Sequence, residues 1–128
     1  MRMFRWALLL MVAGSLAGPP VHADGFEEIV VVTHVDLNPV DGQAPPAAVQ
    51  LLKQFVLDSR RDPGVESFTL ITQTPTTNHF QLIEVFQNSQ SFDAHVSAAH
   101  TVLFRDGLQP FLGAPYDERL YSVFYRVV

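Results

Sequence analysis

The side chains in this sequence best suited to chemistry are histidines and a carboxylate, and they fall in two neighbouring segments. HFQLIEVF (79–86) alternates as a strand, which puts Glu84 on one face with Phe80, Leu82 and Phe86. A carboxyl among apolar neighbours has to be paired, hydrogen-bonded or protonated. It is therefore either a structural partner for an arginine or a backbone amide, or a polar group lining a cavity. SFDAHVSAAH (91–100) then carries His95 and His100 at the two margins of a helical apolar stripe formed by Phe92, Val96, Ala99 and Leu103. An imidazole so placed is either half-buried packing or a proton carrier, its ordinary pKa being about 6.5. Five residues apart on one continuous helix, the pair is separated by roughly 140°, whereas two metal ligands need a spacing of three or four. No metal site is expected. His34, on the Val30/Val32 face of an earlier strand, is a third candidate, while Tyr116, Tyr121 and Tyr125 are expected to pack or to form an interface. The chain has no cysteine, no glycine-rich dinucleotide or phosphate loop, and no GxSxG, so no standard cofactor is expected.

These residues need a frame, and two kinds of segment alternate to supply one. EEIVVVTHVDL (27–37) is β-branched and reads as a strand. After VDGQAPP, the positions Ala48, Val49, Leu52, Phe55, Val56 and Ser59 recur at helical spacing, closed by Arg60-Arg61 and the turn Asp62-Pro63-Gly64. VESFTLITQ and HFQLIEVF follow as strands, and Ser89 or Ser91 is expected to cap a second helix running to about Arg105. A Gly/Pro-rich stretch leads to a last strand, RLYSVFYRVV. The order βαββαβ predicts an α+β, ferredoxin-like fold, a four-stranded antiparallel sheet with two helices on one face. The first and last strands are apolar on both faces, which leaves one side of the sheet uncovered and predicts a homodimer packed through it.

The opening residues read as an export signal. Arg2 and Arg5 precede an apolar run from Trp6 to Ala17, then Gly18-Pro19-Pro20 and Val21-His22-Ala23, with cleavage expected after Ala23. The run is shorter than the roughly 20 residues of a spanning helix, so no lasting membrane anchor is expected. Residues 24–128 form one domain destined for the periplasm or secretion. The chain carries 8 basic against 13 acidic residues, a net charge of −5, and cleavage would remove Arg2 and Arg5. That balance excludes nucleic-acid tracking and points to a small neutral ligand or another protein.

SRRDPGVESF followed by HFQLIEVFQNSQSFDAHVSAAH resembles the antibiotic biosynthesis monooxygenase family of dimeric α+β barrels. The family's helix end S-R-x-x-P-G is met by Ser59, Arg60, Pro63 and Gly64; its strand F-x-L-x-E-x-F by Phe80, Leu82, Glu84 and Phe86. Its A-x-x-x-H-x-x-x-x-H is met by Ser91 in place of alanine, His95 and His100. The resemblance implies cofactor-independent oxygenation of a quinol or other small phenolic ring in a dry pocket. His95 or His100 would be the base and Glu84 its orienter, with His34, Phe86, Phe92 and Leu103 around the substrate. Haem-degrading enzymes of the same fold place a tryptophan where His95 stands, so haem is not expected. The alternative is a non-catalytic dimeric module that binds an aromatic ligand, because these motifs specify the fold more tightly than the reaction.

Overall fold

The structure, a computed structural model, describes residues 27–127. The expected signal segment, 1–23, lies outside them. Strand β1 (Ile29–Asp36) is followed by helix α1 (Pro46–Ser59) and strands β2 (Val65–Thr72) and β3 (His79–Phe86). Helices α2 (Ser89–Ser97) and α3 (Ala99–Leu108) and strand β4 (Asp117–Ser122) complete the chain. The strands form one antiparallel sheet in the order β2-β3-β1-β4, the ferredoxin-like arrangement.

Alternation decides which residues face the helices. Val31 of β1 lies opposite Glu84 of β3, which lies opposite Phe68 of β2, and all three are buried. Pro46 starts α1, where a missing N–H costs nothing, and Ala48, Leu52, Phe55 and Ser59 recur every three or four residues as its buried edge. The core closes on aromatic contacts: Phe55 stacks on Phe104 of α3 at 3.8 Å and meets Phe68 edge-on at 5.3 Å. The sheet's other face carries Val30, Val32, Ile83 and Val85, all only half-buried.

Three local features differ from expectation. The cap of α2 is Asn88, neither Ser89 nor Ser91, and its side chain accepts a hydrogen bond from the Ser91 amide at 2.9 Å. The second helix is also broken. Ala98 takes an extended conformation (ψ 143°), and Ser97 Oγ donates to the carbonyls of Asp93 and Ala94. The Ala98 amide turns to the His95 carbonyl, an i−3 bond that tightens the last turn, and the extended Ala98 ends the ladder, so α3 starts afresh at Ala99. The last strand begins two residues earlier than RLYSVFYRVV and ends at Ser122, leaving Phe124 and Tyr125 exposed.

Candidate functional site

The break at Ala98 reorients everything after it, and with that the geometric ground for setting a metal aside disappears. His95, at the end of α2, and His100, in the first turn of α3, do not share one helical wheel. Both rings turn toward Asp62, in the turn that follows α1. His95 Nδ1 lies 2.8 Å from Asp62 Oδ2 and donates to it. His100 Nε2 lies 2.9 Å from the same oxygen but off the hydrogen-bonding direction. The Asp62 turn is fixed by Gly64, whose left-handed backbone (φ +81°) brings it against Ser91: a Cβ there would fall 2.0 Å from Ser91 Oγ.

His95 is 2 % exposed and sits in an aromatic box, 5.2 to 5.5 Å from the rings of Phe55, Phe68 and Phe86. Burial lowers its pKa below the ordinary histidine value, the Asp62 carboxylate opposing this and the charges of His100 and Arg105 adding to it. Its second nitrogen, Nε2, faces Glu84 Oε2 at 3.8 Å, too far for a direct hydrogen bond. Glu84 is itself 1 % exposed. Burial pushes its carboxyl up to about 8, the Glu118 charge adding to the shift while the Arg105 charge opposes it. At neutral pH the carboxyl is protonated and can donate a hydrogen bond.

Beyond Glu84 the interior stays polar. Thr33 of β1, Arg105 of α3 and Tyr116 ahead of β4 interact with it. Among the described residues, both Glu84 oxygens, Thr33 Oγ1, Thr101 Oγ1, Arg105 Nε and the Tyr116 hydroxyl are buried without a protein hydrogen-bond partner. Arg105 pairs with Glu118 and lies over the Tyr116 ring at 5.1 Å. Burial raises the Tyr116 phenol well above its usual range, so it stays a donor. An unsatisfied buried polar group costs about 1–3 kcal/mol, and so many converging on one spot mark a place built for a polar ligand or ordered water.

The sequence candidates therefore divide. Glu84, His95 and His100 come together, with Phe86 as a wall and Phe92 edge-on behind it at 5.4 Å. Leu103 does not line this interior: with α3 restarted, Thr101, Phe104 and Leu108 turn inward and Leu103 is 71 % exposed. It forms the rim of an outer cleft of about 170 Å³ between α1 and α3, with His100, Leu51, Phe55 and Phe104. His34 points to the other side of the sheet, its ring beside Gln81 at 3.2 Å, and does not reach Glu84. Asp62 was legible only as a turn residue. Thr33 gave no local signal beyond its inward register on β1, and Thr101 and Arg105 gave none.

A family model for antibiotic biosynthesis monooxygenases matches residues 29–106, and the chain belongs to that family. Membership supports a monooxygenase-like role. No curated protein matches the sequence. Among solved structures the chain is similar to Rv0793 from Mycobacterium tuberculosis, at 19 % identity and a TM-score of 0.71, covering 79 % of this chain and 99 % of that one. It is also similar to SnoaB, a cofactor-independent oxygenase from Streptomyces nogalater, at 15 % identity and a TM-score of 0.68, covering 79 % and 97 %. Protein SO0527 from Shewanella oneidensis gives 19 % identity and a TM-score of 0.67, covering 77 % and 92 %. At these identities the likeness shows the fold.

Proposed function

We propose that this protein is an exported, homodimeric monooxygenase that oxidises a quinol or related phenolic ring with O₂ and no bound cofactor. One observation carries the proposal. A buried imidazole is held by a carboxylate at one nitrogen and presents the other to the buried, unpartnered Glu84 carboxyl. Asp62 accepts from Nδ1–H, which leaves the Nε2 lone pair facing the interior as a base, so Asp62 takes the orienting role expected of Glu84.

His95 Nε2 takes the phenolic proton. The resulting anion passes one electron to O₂, and the radical pair combines at a ring carbon to form a peroxide. Its O–O bond then breaks: one oxygen stays on the ring as a carbonyl and the other leaves as water. A hydroquinone plus O₂ thus gives a hydroxyquinone plus water. Glu84 in its neutral form, with the hydroxyls of Thr33 and Tyr116, donates hydrogen bonds to ring oxygens as charge builds on them. The departing oxygen collects the proton held on His95 and the one released by the ring carbon, which restores the base. The half-buried apolar sheet face supports pairing with a second copy, and the basic-apolar leader supports export.

The test is O₂ uptake by chelator-treated protein supplied with a panel of hydroquinones. His95→Gln should lower kcat by at least about 100-fold, the usual size of a general-base contribution. Uptake that is undiminished in His95→Gln excludes the proposed base. The close packing around His95 favours the competing possibility, a module that binds an aromatic ring and never turns it over. That possibility predicts saturable ligand binding with no O₂ uptake.

A further inference from the structure

We propose that Asp62, His95 and His100 form a binding site for a divalent transition-metal ion, reached through the cleft between α1 and α3. The inference rests on side-chain geometry alone and stands whether or not the protein is an oxygenase. One ligand atom from each residue lies within 4.8 Å of the others, and both histidine nitrogens are within 3 Å of the same carboxylate oxygen. Metal–ligand bonds to histidine nitrogen and carboxylate oxygen are about 2.0–2.2 Å, which puts neighbouring ligands about 3.0–3.5 Å apart, so an ion would push the carboxylate oxygen slightly away from both nitrogens and draw the two rings toward each other. Two imidazoles and one carboxylate suit zinc, cobalt or ferrous iron better than calcium or magnesium, which prefer oxygen donors throughout.

Two further features fit. His95 would bind through Nδ1, and its ring proton would then sit on Nε2, on the side of the Glu84 carboxyl 3.8 Å away. His100 Nε2 is a buried nitrogen with no hydrogen bond of good geometry, while its ring remains 26 % exposed and borders the cleft, which gives an ion a way in and leaves coordination positions for water. The plainer explanation is a histidine–carboxylate–histidine cluster held together by protons, and the two differ in what cobalt does. An ion at this position would also occupy Nδ1 of the proposed base and set a positive charge beside it, so occupancy should inhibit turnover.

The test titrates chelator-treated, tag-free protein with Co²⁺, followed by its visible absorption and by calorimetry, and then displaces Co²⁺ with Zn²⁺. Wild-type protein should bind one equivalent at micromolar or lower concentration, with ligand-field bands of a nitrogen/oxygen site. His100→Gln, a partly exposed position expected to fold, should weaken binding at least 100-fold, and Asp62→Asn should do the same. His79→Gln, which alters the separate His79–Asp36 pair on the opposite sheet face, should leave binding unchanged within twofold. Circular dichroism would confirm that each variant is folded. No binding below 1 mM, or unchanged binding in His100→Gln, would overturn the proposal. Binding is read without substrate, so this outcome is separable from any failure of the oxygenase test.

Discussion

Replacing Glu84 with glutamine keeps the shape of the side chain and removes its titration. In the folded chain the carboxyl is pushed up to about 8, against an ordinary value of 4.5, chiefly by burial. The sign follows from proton counting. Between those values the unfolded chain has lost this proton while the native chain keeps it, so rising pH favours unfolding. The stability contribution is complete below pH 4.5, declines by about 1.4 kcal/mol per pH unit, and levels off above pH 8. From pH 5 to pH 8 the loss is about 4 kcal/mol, a large share of the roughly 5–15 kcal/mol that holds a small domain together. Urea unfolding of chelator-treated wild-type and Glu84→Gln proteins, followed by circular dichroism at pH 5, 6, 7 and 8, isolates the effect. Titrations common to both chains cancel in the difference. The variant should gain on the wild type at each step, by about 4 kcal/mol in all. Parallel curves, with a difference constant to about 0.5 kcal/mol, would refute the assignment of Glu84 as a buried neutral carboxyl.

Other substitutions probe the frame that holds the site. Gly64→Ala meets both a left-handed backbone and Ser91 Oγ at 2.0 Å, and should cost about 2–4 kcal/mol in urea unfolding. Adding Ser91→Gly should restore only part of this, since it removes the clash and leaves the strained φ. Phe104→Ala removes the ring stacked on Phe55 and should cost about 3–5 kcal/mol by the same assay. Asn88→Ala removes the α2 cap, and a drop in stability of about 1 kcal/mol is expected.

The sheet was legible because strand alternation is a local property. Val31, Val35, Leu82, Glu84 and Phe86 fall on the helix-covered face as the period of two requires. The α1 edge of Ala48, Leu52, Phe55 and Ser59 was legible for the same reason at a period near four. Nothing of the kind announces the break at Ala98, since Val96-Ser97-Ala98-Ala99 contains no glycine or proline. The break is an extended ψ at Ala98 with its amide on the His95 carbonyl, a backbone choice that no residue type in this stretch imposes. A helical wheel drawn through the break placed His95 and His100 on diverging faces and Leu103 inside, and both errors have that one source. Asp62 escaped notice for a different reason. An aspartate before Pro-Gly is ordinary turn chemistry, and its approach to two histidines more than 30 residues ahead is a tertiary event. Glu84 was recognisable as anomalous in sequence, but its company of Thr33, Arg105 and Tyr116 comes from separate segments of the chain.

The proposed chemistry depends on which nitrogen of His95 carries the proton. Long-range ¹H–¹⁵N correlation spectra of metal-free protein at pH 7, with His95 assigned through a His95→Gln variant, read this directly. A neutral ring with Nδ1 protonated toward Asp62 and Nε2 bare toward Glu84 is the expected result. A ring carrying its proton on Nε2, or protonated at both nitrogens, would contradict it, because no lone pair would then face the interior to accept a proton.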